Sequence, residues 1–383
     1  MTANKEEILV LVTGASVSIR LLLTFVRKLN ICVYFTFLFQ GFLGSHVVVA
    51  FLDAGYAVRG TVRDLGSPKV AHLNTMVARG RLLTLVQADL LDDESLLSAT
   101  QGCRIVVHVA SPLLANVSTK EADAKLYAPA KQGTINVLSA CLKNGVDRVV
   151  LTSSLAASIV GNDDKVTFDE PEKVWANVEA PSCDPYSRSK YLAEKAAWKF
   201  YENARKSGKK TFEMTSLLPS TLVGPLLAPN VCVSADTVAA FVNGKMGMLP
   251  DIYAYLVDVR DAARAHVTAA ESDEARGERF ILHGGALHMR EGFAHALRQE
   301  FEPLGFQVVN RSMPYWLLWT LSWFNSQADS ARKKWGVKMH ISNKKSIDVL
   351  GATYQKTIDK SVVDMLHSMV ELSYPGIPKQ AVA

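Results

Sequence analysis

Tyr186 and Lys190 stand four residues apart in "DPYSRSKYLAEKAAWKF", a stretch that reads as a helix. At that spacing two side chains share one helical face, which sets a cation beside a phenol. A free tyrosine, with a pKa of ~10, holds its proton too tightly to cycle readily near neutrality. A neighbouring ammonium stabilises the phenolate, so the pair suits proton transfer to an oxygen. The same stretch holds a second copy, Tyr191 and Lys195. At ~100° per residue, the step from Tyr186 to Tyr191 turns the second ring about 140° from the first, so both pairs cannot serve one site. Spacing alone does not choose between them.

A second chemistry, phosphate binding, is written in the glycines. The chain opens "ILVLVTGAS" and resumes at "GFLGSHVVVAFLDAGYAVRGTVRD" from Gly41. Joined directly, these read as strand, glycine turn, helix and second strand, with Gly14, Gly41 and Gly44 spaced as G-x-x-G-x-x-G. The first glycine permits a tight turn, the second lets backbone N–H groups approach a pyrophosphate, and the third lets helix pack on strand. The phosphates then sit at the positive end of the helix.

Between these halves lie residues 17–40, an apolar and basic stretch with Arg20, Arg27 and Lys28 and no acid. Val17-Ser18 can be encoded as a splice-donor consensus, and "YFTFLFQ" as a pyrimidine tract closing on a splice acceptor. The segment therefore reads as a translated, in-frame intron. The competing reading is a membrane anchor, because residues 29–52 carry no charge. Half of that run, however, is the nucleotide-binding helix, which cannot lie in lipid and hold a cofactor.

The second strand ends in Arg63 where an NAD-preferring site would place a carboxylate for the ribose hydroxyl. An arginine there suits a 2′-phosphate, so the cofactor expected is NADP(H), with Lys69 as a second cation. Asp89, just after the third expected strand, is placed to accept from the adenine amino group.

These sites need a scaffold, and the rest of the chain supplies its rhythm. Strands are expected over 8–12, 57–62, 82–87, 105–108, 148–152 and 213–218, alternating with helices near 94–99, 134–144 and 186–207. That alternation predicts an α/β fold, a Rossmann-type doubly wound parallel sheet. Residues 1–218 would form the NADP-binding domain. Residues 219–383, with helices near 262–270, 291–301 and 360–372, would form mainly a smaller C-terminal substrate lobe with segments returning to the core domain. "PYWLLWTLSWF", at 314–324, is too short to span a bilayer and is expected as a core helix or a wall of the substrate pocket.

Composition narrows the function. The 383-residue chain has a formal charge of +5, which falls to +2 without residues 17–40. So balanced a chain implies no nucleic-acid partner. Its five cysteines, Cys32, Cys103, Cys141, Cys183 and Cys232, lack metal-ligand spacing and are scattered, as expected in a reducing, cytoplasmic compartment; no metal is expected. No signal-peptide pattern precedes the first expected strand.

The motifs "VTGAS" with "GFLGSH", "HVASP" at 108–112, "VVLTSSLAAS" at 149–158, "YSRSKYLAEKAAW" at 186–198, "LLPSTLVGP" at 217–225 and "YLVDVRDAARAHV" at 255–267 resemble those of the extended short-chain dehydrogenase/reductases. The nearest branch is similar to dihydroflavonol reductases, cinnamoyl-CoA reductases and NADPH-dependent methylglyoxal/isovaleraldehyde reductases. The likeness extends over nearly the whole chain outside residues 17–40, including "ISNKKSIDVLGATYQ" near the C-terminus.

The resemblance implies that the lysine of the "SK" pair is the active one, which selects Tyr186 with Lys190 and leaves Tyr191 and Lys195 structural. It maps the active serine to the second of "TSS", Ser154 rather than Ser153. It extends the cofactor contacts to Phe42, Leu43, Leu90, Ala110 and Pro219, with Tyr186 and Lys190 shared between cofactor and catalysis. The implied activity is NADPH-dependent hydride transfer to the carbonyl of a small or medium aldehyde or ketone, with a sugar-nucleotide epimerase or dehydratase as the alternative in the same fold. A further alternative is a catalytically dead nucleotide-binding protein, its glycine loop broken by the insert. Dihydroflavonol reductases carry a pocket asparagine five residues after the active serine. The matching position here is Ile159, which predicts poor turnover of polyhydroxylated rings.

Overall fold

The computed structural model describes residues 9–12, 32–34, 41–78, 82–109, 121–323, 326–354 and 357–378. Gly14, Ala110 and all of the insert except Cys32–Tyr34 lie outside the described residues.

The parallel sheet is built from short apolar runs whose burial on both faces shows in their composition. Its strands are β1 (Leu9–Val12), β2 (Cys32–Tyr34), β3 (Ala57–Val62), β4 (Leu83–Gln87), β5 (Cys103–His108) and β6 (Arg148–Thr152). After β7 (Thr167–Phe168), which lies elsewhere, the sheet is completed by β8 (Glu213–Pro219) and, beyond β9 (Thr221–Val223) and β10 (Tyr253–Asp258), by β11 (Arg279–Leu282). β6 is buried at every position.

The strand order is β11-β8-β6-β5-β1-β3-β4. From β1 the chain runs outward through β3 and β4, then returns to the other side of β1 to lay down β5, β6, β8 and β11. The reversal falls between β1 and β5, where such sheets open a crevice beyond their carboxyl ends. The crossovers include α1 (Phe42–Asp53), α2 (Ala71–Ala78), α3 (Asp93–Thr100), α4 (Ala128–Lys143), the short α5 (Ala156–Ile159) and α6 (Pro185–Lys206). α4 packs on both α3 and α6, and α1 packs on a later helix, α8 (Val259–Glu271).

β2 adds something the sequence reading did not anticipate. It pairs in parallel with β5 at Val33↔Ile105 and Tyr34↔Val106, the residues opposite which Val10 and Leu11 of β1 stand.

Beyond Pro219, α7 (Val233–Val242), α8 (Val259–Glu271), β12 (Gly285–His288) and α9 (His295–Phe301) follow. The chain then forms α10 (Tyr315–Leu321), α11 (Ser326–Lys333), β13 (His340–Ile341), α12 (Lys344–Leu350) and α13 (Ile358–Glu371). β12, β10 and β9 make a small second sheet, and β13 pairs with β7. A second apolar core forms here, with Phe241 stacked on Phe293 at 4.6 Å and Leu297, Phe301, Met365 and Met369 around them.

The expectation of a core helix over 314–324 is corrected. Of α10 only Leu318 is buried, at 3% exposure, while Trp316 and Trp323 are each 66% exposed. The apolar density that suggested a core position cannot be housed there, because one face of a two-turn helix holds only one or two side chains. Among the described residues, no helix is long and apolar enough to cross a membrane.

Candidate active site

The site is assembled from the carboxyl ends of β5 and β6 and the first two turns of α6. α6 starts where it does because Asp184 caps it: the carboxylate accepts from the Ser187 amide at 3.0 Å and from the Ser187 hydroxyl at 2.6 Å, with Pro185 fixing the first turn. Tyr186 and Lys190 then follow one turn apart, the Lys190 Nζ lying 5.9 Å from the centre of the Tyr186 ring.

β6 ends in two serines that part company. Ser153 donates to Glu194 at 2.7 Å, one turn along α6 from Lys190. Ser154 lies near enough to Tyr186 to favour its phenolate, and its Oγ accepts from the Ala156 amide at 3.2 Å. Of the two tyrosine–lysine pairs, the structure brings Tyr186 and Lys190 to Ser154. The other is taken up by Trp175: Tyr191 meets its edge, and Lys195 Nζ sits 3.7 Å over its ring.

The electrostatics follow from burial. Lys190 is buried, which pulls its ammonium down to about 8, and the Glu194 carboxylate one turn further along α6 opposes that fall. Burial pushes the Tyr186 phenol up, while the nearby Ser154 hydroxyl works the other way. His108, at the end of β5, is held neutral, at about 3, by burial and by the nearby Lys190. His108, Thr134, Ser153, Lys190 and Glu194 line a space of about 10 Å³, the size one water molecule needs.

Glu194 was not singled out from the sequence, although its spacing from Lys190 was a readable signal. It is buried, accepts from Ser153, from Ser216 at 2.8 Å and from Trp198 at 3.2 Å, and pairs with Arg279 of β11 at 2.8 Å. Arg279 also donates to the Val174 carbonyl at 2.9 Å and lies 3.7 Å over Trp175. No local pattern joins Arg279 to this cluster; only the return of β11 to the main sheet does.

The expected cofactor contacts fall into two groups. At the amino end of α1, Gly41 takes a left-handed conformation (φ 32°, ψ 54°), no side chain caps the helix and no acid occupies its first turn. Its free N–H groups suit a pyrophosphate, and Gly41, Phe42, Ser45, Leu226 and Asn230 line a small space there. Leu43 and Gly44 are buried behind it. At the end of β3, Arg63 is exposed; partial burial lowers its guanidinium below the usual value, and the Asp89 carboxylate opposes that fall. Lys69 is exposed, and its carbonyl accepts from Asn230 at 2.8 Å.

Asp89 is exposed, with one oxygen already accepting from the Leu91 amide at 2.9 Å; Leu90 is buried beside it. Pro219 ends β8, and its carbonyl accepts from Leu155. These donors fit a phosphorylated dinucleotide. Ile159 does not line this crevice: at 9% exposure it packs with Leu155, Phe168, Leu218, Ile281 and Ile341. An inward-packed Ile159 sets no polar preference for a substrate.

Comparison with known proteins gives the setting. The profile of the "NAD dependent epimerase/dehydratase family" matches residues 39–282. The chain is 38% identical over 267 residues to tetraketide alpha-pyrone reductase 1 of Arabidopsis thaliana, covering 66% of this chain and 76% of that one. It is 37% identical over 253 residues to cinnamoyl-CoA reductase 1 of Oryza sativa subsp. japonica, covering 66% and 71%. Among solved structures, the yeast methylglyoxal/isovaleraldehyde reductase Gre2 complexed with NADPH superposes with a TM-score of 0.70 at 25% identity, covering 87% of this chain and 96% of that one.

Proposed function

The chain belongs to the NAD dependent epimerase/dehydratase family, and from that premise we propose that it reduces the carbonyl of a small or medium aldehyde or ketone at the expense of NADPH. The observation that carries the reading is the buried Lys190 ammonium set 5.9 Å from the Tyr186 ring, one helical turn along α6, with Ser154 at the end of β6 near the same phenol. Relatives named as reductases of a tetraketide pyrone and of cinnamoyl-CoA, and a neighbour solved with NADPH, support it. Residues 1–218 serve the cofactor and 219–383 mainly the substrate, on this reading.

Bound NADPH supplies the hydride. Ser154 and Tyr186 both donate to the carbonyl oxygen, which polarises it and fixes its position. As charge gathers on that oxygen, Tyr186 gives up its phenolic proton as general acid. Lys190, one turn along, stabilises the phenolate left behind, and Glu194 behind it keeps the lysine charged. Arg63 and Lys69 would hold the 2′-phosphate, and Asp89 the adenine. Free cysteines at 103, 141, 183 and 232 suit a reducing compartment, which favours the cytoplasm.

The test is stoichiometry. With isovaleraldehyde or methylglyoxal, NADPH added in excess should be consumed mole for mole with alcohol formed. A cofactor that stays bound through repeated turnovers while a sugar nucleotide is epimerised or dehydrated would point to the other chemistry of this fold.

A further inference from the structure

The helix α10 and the turn after it expose Tyr315 (47%), Trp316, Trp319 (42%), Leu321 (43%) and Trp323 at the surface. Trp319 and Trp323 meet edge to face at 4.4 Å, and Tyr315 meets Trp335 at 5.3 Å. The rings therefore form a cluster rather than isolated exposures, and patches of this kind mark interaction sites. None of them lines the spaces at the candidate active site.

The charge around the cluster is one-sided. From residue 303 to 338 the chain carries Arg311, Arg332, Lys333, Lys334 and Lys338 against a single acid, Asp329. Arg332 pairs with Asp329 at 2.8 Å, and α11 packs against α10, which sets this basic end beside the aromatic helix. Lys333 shares the same carboxylate at 3.1 Å, and Lys334 is exposed.

We propose that the α10–α11 face is a docking surface for an anionic lipid bilayer, its tryptophans seated at the headgroup boundary and its lysines against the lipid charge. Indole and phenol rings with one apolar body and one polar tip concentrate at that boundary. A short element with such rings on one side and cations at its edge lies in the plane of the interface rather than across it. A second copy of this chain is the poorer occupant, because a two-fold contact would set two basic patches against each other.

The experiment is flotation of the full chain with vesicles of neutral phosphatidylcholine and of phosphatidylcholine containing phosphatidylserine, with tryptophan emission followed in parallel. Binding should need phosphatidylserine, shift the emission to the blue and fall as salt rises. Trp316→Ser with Trp323→Ser should abolish it. Lys333→Glu with Lys334→Glu should weaken it by roughly tenfold or more. Both double variants should keep the circular dichroism of the parent, since they touch only exposed side chains. The chain lacking residues 17–40 should bind as the full chain does. Loss of binding on that deletion, with the tryptophan variant still bound, would move the membrane contact to the insert and overturn the proposal. So would absence of vesicle binding, whether or not a dimer that Trp316→Ser dissociates is found by light scattering.

Discussion

Lys190 needs its charge, and Glu194 is the group that defends it. Because burial, opposed in part by the Glu194 carboxylate, brings the ammonium to about 8, activity that depends on it should fall as pH rises through that value, where the proton is lost. Glu194→Gln removes the opposing carboxylate, so the alkaline limb of kcat/KM should move to lower pH. The same change strands Arg279 and costs about 3–5 kcal/mol of stability. The double change Glu194→Gln, Arg279→Met removes both charges, and should recover most of the stability while leaving the limb displaced. An unmoved limb in a folded double variant would reduce Glu194 to a structural role. At the other end of the cofactor, Arg63→Asp exchanges a cation for an acceptor and should shift the NADPH-to-NADH preference by roughly tenfold or more, about 1.4 kcal/mol. A ratio of kcat/KM values that does not change would place the 2′-phosphate elsewhere.

At the scale of elements, α6 and the glycine turn govern the chemistry. Asp184→Ala removes the only side-chain cap of α6 and should cost ~1 kcal/mol in denaturant unfolding. The loss in turnover should be larger than the loss in NADPH affinity, because Tyr186 is in the first turn. The insert acts on the other element. Residues 17–40 separate Gly14 from Gly41, the two glycines whose turn would hold the phosphates. Deleting residues 17–40 should therefore tighten NADPH binding markedly in a fluorescence titration; equal affinity of the two forms would show that the insert is harmless.

Most of the strands were legible because parallel strands buried on both faces are continuous apolar runs: 57–62 and 148–152 were read with their observed bounds. β11 was not, since Arg279 opens it and its place in the sheet depends on pairing with β8 across more than sixty residues. The tyrosine and lysine were legible by spacing and the choice of copy only through resemblance. The geometry adds a physical reason for that choice, because Trp175 occupies Lys195 and Tyr191. Glu194 with Arg279, and the burial of Ile159, depend on tertiary contacts that no local pattern carries.

The whole molecule joins two apolar cores, one under the parallel sheet and one among α7, α9 and α13, with the crevice of Ser154 and Tyr186 at the sheet's carboxyl edge. On the proposed reading, a phosphorylated dinucleotide would lie along the sheet edge, the carbonyl would be presented from the second lobe, and Tyr186 would be the single proton donor. The most direct measurement is the steady-state reduction of isovaleraldehyde by NADPH in the chain lacking residues 17–40, alongside Tyr186→Phe and Tyr191→Phe in the same background. Tyr186→Phe should lower kcat by roughly 10²–10⁴-fold with NADPH affinity little changed, and Tyr191→Phe should be mild. Near-parental turnover in Tyr186→Phe, or the larger loss falling on Tyr191→Phe, would contradict the account.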